Sequence, residues 1–187
     1  YRIFGHHKHI GFDQWERAKS LLKNDPDTRQ AVILIYTPSY SILKTKDLPC
    51  TMFMQFIKRK EKLDLNVCMR SNDLIWGTAY DVFSFTMMQE KMAVELGLRL
   101  GFYNHYAGSL HIYKEHYEMV NNMSKPRKTI KMPDIDINNL KRSIKAEEDL
   151  RKGISLRKIS FYWDDIMLIL KQRDRNTHEV ADKLKHA

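Results

Sequence analysis

Hydrophobic positions along the chain follow two periods, one helical and one strand-like. FDQWERAKSLLKN (12–24) brings Trp15, Ala18, Leu21 and Leu22 onto one helical face, and NDPDTR ends that helix as a turn. QAVILIY (30–36) is a β-branched run of the kind a buried strand uses. An irregular connection containing Pro38 and Pro49 follows. MFMQFI (52–57) and LDLNVCM (63–69) flank the charged KRKEK, and the pair predicts a β-hairpin. In its second strand Leu63, Leu65, Val67 and Met69 face one way, while Asp64, Asn66, Cys68 and Arg70 face the other, a side polar enough to line a cleft. A long helix over about 79–96 carries Val82, Phe85, Met88, Met92 and Leu96, with Gly97 placed to cap it. LRLGFYNHYAGSLHIY (98–113) returns to strand character and KEHYEMVNNM looks helical. After Pro126 the pattern weakens, with helices expected near 138–151 and 161–172. Mixed helices and strands of this kind predict an α+β fold, read as a single domain over 1–187.

Composition narrows the setting. At 187 residues and 43% hydrophobic, the chain can bury one sizeable core and demands no second domain. No apolar run approaches the roughly 20 residues that cross a bilayer, and YRIFGHHKH has no long apolar centre of the secretory type. Cys50 and Cys68 are too few for a disulfide framework and lack metal-pair spacing, so a reducing, cytoplasmic setting without a membrane partner is expected. The formal charge of +9 makes an anionic ligand plausible without naming it. Its basic residues gather in KRKEK (58–62), SKPRKTIK (124–131) and LKRSIKAEEDLRK (140–152), runs that more often form solvated turns and helix faces. HHKH (6–9) has no Cys or acidic partner at ligand spacing, so no metal is expected there.

Three short pieces do not follow from packing alone. In DLPCTMFMQF (47–56), Cys50 sits directly after a proline at the entrance of a strand. In RSNDLIWGTAYD (70–81), Arg70, Ser71, Asn72 and Asp73 crowd a strand exit, and Asp81 enters an otherwise apolar helix. In GSLHIY (108–113), His111 and Tyr113 lie two apart on a strand and so share a side. An arginine beside a serine hydroxyl suits a phosphate, because the guanidinium fork matches two phosphate oxygens. Each piece also has a bland reading. Arg70 and Asp73 could pair as a salt bridge, Asp81 could cap the helix beginning near 79–81, and His111 could be a hydrogen-bonded core residue.

The order DPDTR, LPCTMFMQF, MRSND, YD and GSLHIY resembles the thymidylate synthase family over about Tyr1 to Tyr117, and within it the hydroxymethylase branch known from phages. Thr51 after the cysteine, Met69 before the arginine and GSLH all follow that branch; thymidylate synthases there tend to carry His, Gln and a Gly-Gly-Asp stretch. The resemblance implies a thymidylate synthase-like fold, a mixed twisted sheet with flanking helices, forming a homodimer through the sheet face. Carried over residue by residue, it assigns Cys50 as the nucleophile that adds to ring carbon 6 of a pyrimidine nucleoside monophosphate. It assigns Arg70 and Ser71 to the 5′-phosphate, helped by Arg29 from the other subunit, where a customary second arginine is here Gln30. Asn72 falls within the same substrate-binding stretch, Asp73 would help position base and cofactor, and His111 and Tyr113 would bind the deoxyribose 3′-hydroxyl. Asp81 stands where thymidylate synthases read uracil with an Asn.

Such chemistry needs these residue types. Carbon 5 of a pyrimidine is a poor nucleophile until a thiolate adds at carbon 6, and only the thiolate of a cysteine attacks. The resemblance implies 5,10-methylenetetrahydrofolate as one-carbon donor and no metal. Hydride would then give a methyl group and water a hydroxymethyl group; the polar HEVADKLKHA (178–187), unlike the hydrophobic tail of thymidylate synthases, favours water. Asp81 favours cytosine, whose ring nitrogen 3 accepts and whose amino group donates, so dCMP is the expected substrate. The family also implies an upstream segment, with a glutamate and a further phosphate-binding arginine, ahead of Tyr1. A dUMP-methylating thymidylate synthase and an inactive nucleotide- or RNA-binding relative are the alternatives, and association with other enzymes of nucleotide metabolism or replication is a further expectation. Cys68, on the polar strand face, reads as structural.

Overall fold

The computed structural model describes residue 3 and residues 11–123, 133–154, 158–160 and 162–171. The HHKH run, SKPRKTIK and the HEVADKLKHA segment lie outside them. The chain divides into two compact units, Tyr1–Arg127 and Lys128–Ala187.

In the first unit, α1 (Gln14–Asn24) is capped by Asp13, whose carboxylate accepts from the Glu16 N–H, and it buries Trp15, Ala18 and Leu22 as its spacing predicts. β2 (Thr51–Arg59) and β3 (Lys62–Met69) form the expected hairpin, turning through Lys60 at φ 53°. β1 (Val32–Leu34) pairs antiparallel with β2, and β5 (Arg99–Ala107) pairs parallel with β3, giving a mixed sheet in the order β1-β2-β3-β5. The parallel step requires a crossover, supplied by α2 (Gly77–Leu96). Gly97 ends α2 in the left-handed region at φ 68°, where a Cβ would be strained.

One sheet face is packed under α1 and α2. Trp15, Ile33, Met54, Phe56, Leu63, Leu65, Val67, Met69, Phe85 and Met92 form its buried core. Trp15 meets the Phe56 ring edge-on at 5.7 Å and donates its indole N–H to Glu95 of α2 at 2.9 Å. Where the β3 and β5 registers shift, Gln89 of α2 donates to the carbonyls of both Leu63 and Phe102. The opposite face is open. Phe102 and Tyr106 are 76% and 64% exposed there, and an amide ladder crosses it: Asn104 donates to Asn66, Asn66 to Gln55, and Gln55 to the Arg29 carbonyl.

Two expectations change in detail. The 30–36 run yields a strand of only three residues at the sheet edge, with Leu34 exposed. The Gln14 amide holds both the N–H and the carbonyl of Leu34 at 2.8 Å, so a side chain stands where a further strand would pair. The 98–113 run is broken at Gly108 and Ser109 into β5 and a two-residue β6 (Leu110–His111), which pairs parallel with β4 (Asn72–Asp73). A 3-10 turn (Lys114–His116) leads into the short α3 (Tyr117–Asn121).

In the second unit, α4 (Ile137–Arg151) is capped by Asp136 and carries ion pairs one turn apart, including Lys145 with Asp149 and Arg151 with Glu147. Arg142 donates to the carbonyls of Lys158 and Ile159 ahead of a further helix over 162–171. Both helices fall where the weak periodicity expects them.

Candidate active site

The hairpin and the start of α2 place the notable side chains. Cys50 is exposed immediately before β2. Its carbonyl accepts from the Arg70 N–H at 2.9 Å across the end of the β2–β3 ladder. The Arg70 guanidinium reaches back over the same loop, donating through Nε to the Pro49 carbonyl and through Nη2 to the Leu48 carbonyl, each at 3.0 Å. Arg70 therefore braces the segment that presents Cys50 while its side chain stays at the surface. No Arg70–Asp73 salt bridge forms.

Asp73 is engaged by α2 instead. Its carboxylate accepts from the backbone N–H groups of Ile75, Trp76 and Gly77, the last two being the N-cap and the first residue of the helix. Burial pushes this carboxyl up, and the three backbone donors outweigh it, leaving it below the usual carboxylate range. Asp81 is thereby relieved of any capping role, since the helix starts at Gly77 and places it in the second turn.

The short β4–β6 pair joins the residues expected at the sugar. Ser71 Oγ lies 3.5 Å from His111 Nδ1, and the His111 and Tyr113 rings meet edge-on at 5.0 Å. His111 is only partly buried, which sets aside the core reading. Cys50, Arg70, Ser71, Asp73, His111 and Tyr113 thus come from strand ends linked by direct hydrogen bonds and adjacent pairing.

Two expected residues stand apart from this group. Arg29 is exposed beside Gln55, five positions along β2 from Cys50, or roughly 16 Å at the usual strand rise. Asn72 is 2% exposed, its amide turned inward to the Met69 sulfur and to His105. The polar strand face expected to line a cleft does so in part: Asn66 and Cys68, with Phe53, Asn104 and Tyr106, line an open cavity of about 500 Å³. That cavity is on the outer face of the sheet rather than at the Cys50 loop.

Asp81 is half-buried on α2. Burial raises its carboxyl above the ordinary value, and His105 partly opposes the rise. Tyr103, pushed up to about 12 by burial and by Asp81, completes the neighbourhood. Tyr103 and His105 were not among the residues the sequence singled out. The signal was available: in FYNHYA they are two polar-tipped residues on the inward side of a strand whose outward side carries Phe102, Asn104 and Tyr106. Trp76 was passed over too; half-exposed, it donates its indole N–H to His116 Nε2 at 3.0 Å. Among the described residues no group of three His, Cys, Asp or Glu could hold a metal ion, and no helix is long and apolar enough to cross a membrane.

The chain is 44% identical over 108 residues to a deoxyuridylate hydroxymethyltransferase of Bacillus phage SP01, covering 56% of this chain and 28% of that protein. It is 28% identical over 125 residues to a thymidylate synthase of Mycoplasma genitalium, covering 67% and 43%. A bifunctional dihydrofolate reductase-thymidylate synthase of Zea mays is 30% identical over 138 residues, covering 72% and 25%. The chain therefore spans less than half the length of each of these relatives. The family model described as thymidylate synthase matches residues 1–159, extending the likeness beyond Pro126, where the motifs fade, and through α4. By that match, the chain belongs to the thymidylate synthase family.

Proposed function

We propose that the protein containing this chain transfers a one-carbon unit to carbon 5 of a pyrimidine deoxynucleoside monophosphate, with dCMP as substrate and 5-hydroxymethyl-dCMP as product. The observation that carries the reaction class is Cys50, exposed at a strand entrance and braced by the Arg70 guanidinium. In this reading the Cys50 thiolate bonds to ring carbon 6 and makes carbon 5 nucleophilic. Arg70 and Ser71 hold the 5′-phosphate, with Arg29 reaching the site of the other subunit of a homodimer, and His111 and Tyr113 hold the 3′-hydroxyl.

The folate fits what surrounds Asp73. The carboxylate itself is occupied by backbone donors, while Trp76 and Tyr80 beside it expose flat apolar surface of the kind an aromatic ring system covers. The role of Asp73 is then to hold the start of α2 and present that surface. 5,10-Methylenetetrahydrofolate, when bound, supplies the one-carbon unit, and water completes the hydroxymethyl group.

Base choice rests on Asp81. A carboxyl that keeps its proton offers one oxygen to the cytosine amino group and one O–H to ring nitrogen 3. Burial of Asp81 favours that protonated form. Asp81→Asn is expected to move preference from dCMP toward dUMP by on the order of 1–3 kcal/mol, because the wrong base edge leaves buried polar groups unpaired. The ratio of kcat/KM for dCMP over dUMP in both full-length proteins measures this, and an unchanged ratio removes Asp81 from base recognition. A second reading, dUMP as the natural substrate, is favoured by the Bacillus phage SP01 relative, whose name specifies deoxyuridylate. A wild-type preference for dUMP would select it. The product mass separates hydroxymethyl from methyl transfer.

A further inference from the structure

Trp76 stands at the threshold of α2 with half of its surface open to solvent, and it is held at both ends. Its backbone N–H donates to an Asp73 carboxylate oxygen at 2.8 Å, and its indole N–H donates to His116 Nε2 at 3.0 Å. His116 is fixed in its turn. It is the last residue of the 3-10 turn, where its backbone N–H donates to the Tyr113 carbonyl at 3.0 Å. Its ring meets Trp76 edge-on at 6.0 Å and Tyr113 edge-on at 6.3 Å.

The bond to Trp76 settles the tautomer of His116. An indole nitrogen only donates, so Nε2 accepts and the ring proton is on Nδ1. Nδ1 is buried and has no partner among the described residues. A buried N–H without an acceptor is unfavourable, so the needs of His116 itself do not explain how its ring is turned. Turning the imidazole over would set a ring carbon against the indole N–H and leave that donor without its acceptor. The ring as it stands leaves one donor of its own unpaired and keeps the indole of Trp76 in place. None of the phosphate, sugar, base or nucleophile roles uses His116.

We propose that His116 is a positioning residue for folate binding: by accepting the indole N–H it locks the Trp76 ring in the plane that the flat ring system of the folate covers. The inference rests on Trp76 and Tyr80 forming the folate surface. A half-exposed indole left free samples several rotamers, and a ligand that covers it must first immobilise it. With Nε1 tied to His116 and the backbone N–H tied to Asp73, that freedom is already lost in the folded protein. The folate then meets a surface whose orientation is set before it arrives. His116 touches neither ligand in this arrangement and acts only through Trp76.

The test uses the full-length protein saturated with whichever of dCMP and dUMP it prefers, and tetrahydrofolate as the probe, which lacks the transferable carbon and so reports binding without turnover. His116→Phe keeps an aromatic ring and removes the acceptor. His116→Gln carries a side-chain oxygen at about the reach of Nε2, whereas the shorter His116→Asn reaches only about as far as Nδ1. His116→Phe and His116→Asn should raise the tetrahydrofolate dissociation constant about three- to tenfold, the worth of one hydrogen bond, and His116→Gln should restore it. The kcat at saturating 5,10-methylenetetrahydrofolate should stay near the wild-type value in all three, since His116 touches no reacting atom. In proton NMR the Trp76 indole N–H resonance, assigned with Trp76→Leu, should move upfield in His116→Phe and His116→Asn and return in His116→Gln. A merely structural role would lower the melting temperature of the three variants and leave the tetrahydrofolate constant unchanged. That result, with Trp76→Leu still weakening tetrahydrofolate, overturns the inference and leaves the folate surface intact. Trp76→Leu binding tetrahydrofolate as tightly as the wild type overturns both.

Discussion

Cys50 precedes the first residue of β2, and what fixes it is not its own packing but Arg70, which bonds the carbonyls of Leu48 and Pro49 on one side and, through its N–H, the carbonyl of Cys50. Arginine suits this place because its planar fork reaches two carbonyls at once, which a lysine ammonium does less well. Cys50→Ala is expected to lower kcat by at least about a thousandfold while leaving the dissociation constant for the nucleotide within a few-fold, since the proposed phosphate and sugar contacts come from other residues. Arg70→Ala should weaken nucleotide binding and also lower kcat, because it releases the loop that carries the proposed nucleophile. Isothermal titration and steady-state kinetics on the same preparations check both, and near-normal turnover in Cys50→Ala would refute the covalent route. At this scale the sequence was informative about residue type but not about partner: nothing in RSND told Arg70 from Asp73 as the residue facing the cysteine loop, because that depends on which strand lies alongside.

α2 shows how an element can reassign a side chain. The sequence placed the helix start near 79–81 and offered Asp81 as its cap; three-dimensionally the helix begins at Gly77, and Asp73 holds the N–H groups of Ile75, Trp76 and Gly77 where the chain enters it. Asp73→Ala should lower the melting temperature, whereas Asp73→Asn, which keeps a side-chain oxygen acceptor, should recover much of the loss. The sign with pH is fixed by the direction of its shift. A carboxyl held below its unfolded value adds stability above that value, and this is lost as pH falls through the folded one. The gap between wild type and Asp73→Ala should therefore narrow on acidification, as thermal unfolding at a series of pH values would reveal. A gap that is constant with pH would mean the carboxylate charge is not what secures the helix. The same start of α2 brings Gly77 onto Asn72, so capping and the close approach beside Asp81 are set by one turn of backbone.

At the scale of the whole molecule, the sheet of the first unit covers only one of its faces with α1 and α2. The other carries Phe102, Tyr106 and Leu34 around the amide ladder from Asn104 to Arg29, an exposed mixture of large apolar groups and pre-satisfied amides suited to a second copy of the same surface. The proposed homodimer uses this face, and it would account for Arg29 standing far along β2 from the Cys50 of its own chain. Phe102→Glu should convert a dimer to monomers at micromolar concentration in sedimentation velocity and reduce activity with it. A wild-type protein that sediments as a monomer while binding nucleotide normally would count against both the interface and the Arg29 role.

The sequence alone determined the elements whose reasons are local: the α1 stripe of Trp15, Ala18 and Leu22, the alternation from Leu63 to Met69, the Gly97 terminus and, through the motifs around Cys50, Arg70 and His111, the family. Periodicity is a property of neighbours in the chain, and these segments bury the faces their spacing presents. Only the tertiary structure decided that QAVILIY would be cut to three strand residues by the Gln14 amide and that Asn72 would turn inward to His105. Each of those outcomes depends on hydrogen bonds between residues 20 or more positions apart. Their partners are chosen by where α1, β4 and β5 come to rest, so no window along the chain contains them.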